Sequence, residues 1–204
     1  MNEANKEHWE KVYQTKTADE VSWTQEVPQT SLDFIHSYQL PKTACIIDIG
    51  GGDSKLVDCL LSEGYENITV LDISAAAIDR AKTRLGERSA KVTWVVSDIL
   101  DYKPTKHFDI WHDRATFHFL TQSDQVSRYL ATAKKAVKGH MIIGTFSDHG
   151  PTKCSGLSIK QYTEESLEAQ FSDGLKKTKC ITEDHTTPFN THQNFLFCSF
   201  KRES

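Results

Sequence analysis

The sequence predicts an α/β fold: a doubly wound, mostly parallel sheet with helices on both faces and an antiparallel hairpin at its C-terminal end. Three observations predict it. Residues 44–85 read as strand, glycine turn, helix, strand, acidic turn and helix. Short apolar runs then alternate with amphipathic helical stretches as far as Phe171, the pattern of strand–helix–strand crossovers. The closing stretch holds two strand-like runs joined by turn-forming residues.

Taken in order, residues 4–15 form a short amphipathic helix with Trp9, Val12 and Tyr13 on one side. A polar loop, Asp19 to Gln25, carries Trp23. Pro28 precedes a helix from about Ser31 to Tyr38 with Leu32, Phe34 and Ile35 on its apolar face, and Pro41 stops it. Residues 1–41 thus read as an N-terminal helical cap on a core at 42–204, the whole forming one domain. Cys45 to Ile49 is a mostly β-branched apolar run, as in a strand buried on both faces. Gly50, Gly51 and Gly52 let the backbone turn where a Cβ would clash. Ser54 is a candidate cap for a helix with Leu56, Val57, Leu60 and Leu61 inward, ended by Gly64. Ile68 to Leu71 is the next strand, running into Asp72, and Ser74 opens another helix. Lys91 to Val96 and His107 to Trp111 are further strands. A helix from Ser123 to Val137 is broken by Gly139 before a strand from His140 to Phe146. An exposed loop through Gly156, a helix to Phe171, and strands at about 176–185 and 193–201 complete the chain.

Asp72 stands at the tip of the second strand, twenty positions after Gly52, where a carboxylate can accept both hydroxyls of a ribose. The cofactor therefore contains a nucleoside. A dinucleotide fingerprint starting at Gly50 would need glycine at position 55, which is Lys55. Asp48 before the turn and Asp53 within it suit a cationic ligand better than a pyrophosphate. Asp98, at the carboxyl end of the third strand, is placed to read an adenine edge. His112, Asp113, Arg114 and His118 follow the fourth strand as a titratable set at the sheet edge where substrates bind. His118 reads as structural. A metal is not expected, because alternation along the strand parts His107 and Asp109 from His112.

Composition narrows the classes. With 204 residues, 25% charged and 38% apolar, the chain is an ordinary globular one. No run is long enough for a membrane span and the N-terminus lacks a signal-peptide pattern, so a cytoplasmic protein is expected. A net charge of −4 and basic clusters without interleaved aromatics argue against nucleic acid. Five widely spaced cysteines, an odd number, read as reduced, buried thiols.

These motifs together resemble class I, seven-β-strand methyltransferases that use S-adenosylmethionine. The resemblance covers about Lys42 to Lys201, with the specific motifs in its first half. It implies that Asp48 lies near the methionyl amino group, that Gly50, Gly51 and Gly52 pass under the cofactor, and that Ser54 replaces a third glycine. It assigns Asp72 with Ile73 to the ribose and Asp98 with Ile99 to the adenine, and makes Trp23 and Tyr13 candidates for a lid. The Trp9-x-x-x-Tyr13 and Ser22-Trp23 pattern is similar to a subset that modifies protein lysines. Asp113-Arg114-Ala115-Thr116 resembles that subset's Asp-Lys-Gly-Thr, with two positions changed. The implied function is methyl transfer to a nitrogen, oxygen or sulfur of a small molecule or protein side chain, lysine included, by a monomer or weak homodimer. Asp113 and His112 are the candidate catalytic groups for any proton that must leave. Rival readings are a nicotinamide-dependent oxidoreductase, disfavoured by Lys55, and a non-catalytic nucleoside-cofactor binder.

Overall fold

The structure, a computed structural model, describes residues 3–203; the outer ends of the expected domain, Met1, Asn2 and Ser204, lie outside the described residues. Its helices are α1 (Glu3–Thr15), α2 (Gln29–Ser37), α3 (Leu56–Ser62), α4 (Ala75–Leu85), α5 (Ser123–Ala136) and α6 (Glu164–Phe171). Its strands are β1 (Cys45–Ile49), β2 (Asn67–Asp72), β3 (Val92–Val96), β4 (Phe108–Arg114), β5 (Val137–Phe146), β6 (Lys153–Cys154), β7 (Leu157–Ser158), β8 (Leu175–Thr186) and β9 (His192–Arg202). Seven of them form one sheet in the order β3-β2-β1-β4-β5-β9-β8, with β6 and β7 as a separate small pair. β1 to β5 pair in parallel, while β9 pairs antiparallel with both β5 and β8.

The parallel strands carry apolar residues on both faces, as both faces are covered. On one face, Ile47, Ile49, Trp111, Met141 and Ile143 pack against Tyr129 and Ala133 of α5 and Phe171 of α6. On the other, Ile46, Val70, Ile110 and Ile142 pack against Phe34 and Ile35 of α2 and Leu56 and Leu60 of α3. The order reverses between β1 and β4, and a ligand crevice opens beyond the strand ends at such a switch.

Four local expectations are corrected. Gly139 does not end α5. The helix stops at Ala136 and the chain passes directly into β5, where a Cβ on Gly139 would collide with the backbone oxygen of Asp109. The loop after β5 is not wholly exposed, since it folds into the β6–β7 hairpin and buries Cys154. Two of the cysteines are not free thiols: Cys180 and Cys198 stand opposite each other on β8 and β9 and form a disulfide, while Cys45, Cys59 and Cys154 are free. Ser54 precedes the cap position of α3, held by Lys55, and its hydroxyl accepts from the Leu56 amide at 3.2 Å. Among the described residues, no helix is long and apolar enough to cross a membrane.

Candidate active site

At the switch point lies a cavity of about 1070 Å³. Its floor is the glycine turn after β1. Gly50 has φ +65° and its amide donates to the Leu71 carbonyl at 2.7 Å, tying the turn to β2. A Cβ on Gly50 would run into the Thr116 hydroxyl, and one on Gly52 would lie 2.6 Å from the Asp72 carboxylate. The glycines here therefore let β2 and β4 bring their end residues against the turn.

Asp72 is buried, and its Oδ1 accepts from the Ser74 amide at 2.8 Å. Burial pushes its pKa up to about 7, with the Asp48 and Glu10 charges adding to the effect against the Ser74 and Ile73 amides. Ile73 follows it onto the cavity wall. Asp98 accepts from the Leu100 amide at 2.9 Å, and Asp98 and Ile99 both line the cavity beside the end of β3. Asp53, expected from the sequence to suit a cationic ligand, is paired with Arg84 and Arg80 of α4.

Register decides the fate of the two candidate catalytic residues. Asp48 of β1 pairs with His112 of β4, so their side chains emerge on one face, and Asp113 emerges on the other. His112 is almost fully buried at the cavity wall. Its Nδ1 lies 2.7 Å from Asp48 Oδ1 and its Nε2 lies 2.9 Å from Ser31 Oγ of α2. With Nδ1–H donating to the carboxylate, Nε2 accepts from the serine hydroxyl. Asp113 does not reach the cavity, which corrects the expectation of a catalytic role. Its carboxylate accepts from the Tyr129 hydroxyl at 2.7 Å and from the Thr116 and Phe117 amides at 3.1 and 3.0 Å, inside the core under α5. Burial pushes its pKa up to about 6 in spite of these donors. His118 is also buried, its Nδ1 accepting from the Phe146 amide at 3.4 Å, and burial pulls its pKa down to about 3. Among the described residues no group of three or more His, Cys, Asp or Glu could hold a metal ion.

The N-terminal segment contributes Trp9, Tyr13 and Trp23 to the cavity lining. Trp9 meets Trp23 and Phe119 edge-on at 5.6 and 5.2 Å, and Tyr13 joins them. Glu10 staples α1 to the start of α4, accepting from the Ser74 hydroxyl at 2.8 Å and the Ala76 amide at 3.3 Å. The loop after α1 is tethered to β8, where His185 bonds the Ser22 carbonyl at 2.7 Å and the Gln25 side chain at 3.4 Å. Sequence reasoning passed over Glu10, Ser31 and His185. None stands in a motif, and their contacts span 64 to 163 positions along the chain.

A family model described as a methyltransferase domain matches residues 46–140. The malonyl-[acyl-carrier protein] O-methyltransferase of Anoxybacillus flavithermus (strain DSM 21510 / WK1) is 33% identical over 105 residues, covering 50% of this chain and 39% of that protein. The human EEF1A lysine methyltransferase 2 is 23% identical over 200 residues, covering 90% of this chain and 77% of that protein. The match spans only 17% of a further relative, the mouse eEF1A lysine and N-terminal methyltransferase, so the chain covers well under half of some of its curated relatives. Among solved structures, the N-methyltransferase NodS from Bradyrhizobium japonicum WM9 in complex with S-adenosyl-l-homocysteine superposes with a TM-score of 0.68 at 16% identity, over 88% of this chain and 90% of that one. The Burkholderia thailandensis 1,6-didemethyltoxoflavin-N1-methyltransferase superposes with a TM-score of 0.70 at 17% identity, over 99% and 85%. These likenesses establish the fold.

Proposed function

We propose that this chain is a class I, Rossmann-like methyltransferase, an enzyme that moves a methyl group from S-adenosylmethionine to a nucleophilic nitrogen, oxygen or sulfur atom of a small molecule or protein side chain; the methyltransferase-domain match at residues 46–140 supports the reading. One observation carries the reading: Asp48, Asp72 and Asp98 converge from the ends of three parallel strands on one cavity floored by a glycine turn. The cofactor fits this cradle. Asp72 and Ile73 would take the ribose, Asp98 and Ile99 the adenine, and the Gly50–Gly52 turn with Ser54 and Asp48 the methionyl end. A third glycine's place is held by Lys55, so a nicotinamide dinucleotide is not favoured.

When bound, S-adenosylmethionine supplies a methyl group already activated by its sulfonium. The protein's task is then to align the acceptor and keep water out. Trp9, Trp23 and Phe119 exclude water as a roof. An acceptor that must lose a proton can give it to His112 Nε2, which first releases the Ser31 hydroxyl. Asp48 would then hold the resulting imidazolium through Nδ1. Lysine enters as an acceptor through the human relative's name, because the chain covers most of that protein.

The test is calorimetric titration with S-adenosylmethionine and, separately, with NADH. Binding of the first at least tenfold weakened in Asp72→Ala supports the reading. Binding of NADH alone would sink it.

A further inference from the structure

The cavity wall carries cationic side chains, and most are already neutralised. Lys55 pairs with Glu26, Arg80 and Arg84 with Asp53, and Arg128 with Asp101. Arg114, at the end of β4, has no carboxylate within ion-pair distance among the described residues. Its Nη1 donates to the Trp23 carbonyl at 3.0 Å, whereas Nε and Nη2 are sealed from solvent and have no hydrogen-bond partner. Those two nitrogens share one edge of the guanidinium, the edge that grips a carboxylate with two parallel hydrogen bonds. Leaving buried donors unmade is costly, which points to a partner outside the chain.

The surroundings do not supply one. Phe195 lies with its ring centroid 5.1 Å from the guanidinium carbon. Glu183, whose charge acts on it most strongly, forms no ion pair with it among the described residues; one of its oxygens accepts from the Thr30 hydroxyl and the other is buried without a partner. Burial brings the pKa of Arg114 down to about 10, so it keeps its charge at neutral pH. His112, Thr24, Gln25 and Cys154 share the wall with it.

We propose that Arg114 is the recognition residue for a carboxylate on the methyl acceptor. The inference rests on the methyl-transfer reading of this cavity and narrows it. A fixed positive charge on the cavity wall favours an acidic acceptor and opposes an ammonium, so it argues against lysine.

The test uses the whole protein and three probes of one shape: benzoate, benzamide and benzylamine. Each is titrated, with and without saturating S-adenosylhomocysteine, by ligand-observed NMR. Benzoate should bind at least tenfold more tightly than benzamide, and benzylamine most weakly. In Arg114→Gln the benzoate preference should vanish while S-adenosylhomocysteine affinity stays within about twofold, and Arg114→Lys should restore part of it. Equal binding of the three probes, a preference for benzylamine, or an unchanged benzoate preference in Arg114→Gln would overturn the proposal. Should the glutamine variant fail to fold, the wild-type ranking decides alone. Absence of S-adenosylhomocysteine binding would count against the methyl-transfer reading, while the probe ranking without it still judges Arg114.

Discussion

Replacing Asp113 by Ala removes the acceptor from three donors at once, two backbone amides and the Tyr129 hydroxyl, all inside the core. The expected loss is about 2–4 kcal/mol of folding stability, since buried donors left unpaired cost about 1–3 kcal/mol each and some will find water. Denaturant unfolding measures it, and S-adenosylmethionine affinity in the folded fraction should hardly change. Asp72 gives a pH effect of definite sign. Between its unfolded value of 3.8 and its folded value of about 7, the folded chain keeps a proton that the unfolded chain has released. Ligand-free stability therefore falls as pH rises through that window, and the loss is complete above it. A ribose held by two accepted hydrogen bonds needs the ionised carboxylate. Cofactor affinity should accordingly climb with pH, by up to about tenfold per unit below 7, and level off above it. Asp72→Asn should flatten that dependence; an equally steep profile in the variant would remove Asp72 from the role. The acidic residues of the floor were legible in the sequence because each ends a strand beside a glycine or a cap. The opposed destinations of His112 and Asp113 were not, because adjacency in the chain hides which face of the sheet each one takes.

At the scale of elements, the β8–β9 hairpin is closed by its turn at one end and crossed by Cys180–Cys198, which are 18 positions apart. A cross-link spanning a loop of that size contributes about 3 kcal/mol through the unfolded chain. Under oxidising conditions, Cys180→Ser should lower the unfolding midpoint, reductant should bring wild type down to the same value, and Cys59→Ser should do neither. No shift with reductant would mean the pair does not cross-link in solution. The hairpin itself could be read from its alternating strands and the Thr187–Asn190 turn, but a pairing between two of five cysteines depends on register that spacing alone does not give. The α5–β5 junction failed for a related reason. Gly139 is a general punctuator, and only the approach of β4 shows that it serves a close contact within a strand. The helix α1 offers a second test. Glu10→Ala removes its staple to α4, so amide exchange across residues 3–15 should accelerate and cofactor affinity should drop about three- to tenfold. Unchanged exchange there would show that the aromatic roof alone holds the helix.

Across the whole molecule, alternating strand and helix signals, two tight turns and a final hairpin were enough to specify the sheet, because both faces of its parallel part are buried and place apolar residues on both sides of its strands. The cap at residues 3–37 was visible only as an amphipathic helix with nearby aromatics. What it covers depends on contacts reaching as far as β8. That reach has a consequence for how the protein is made. His185 secures the loop that carries Trp23, and Glu183 holds Thr30 of α2, so a segment made before the sheet finds part of its docking surface only after β8 has been synthesised. A nascent chain stopped before Leu175 would hold the parallel strands without the tether for the segment that carries Trp23 and Thr30. Ligand capture would then wait on the synthesis of β8, the strand that fastens the cap.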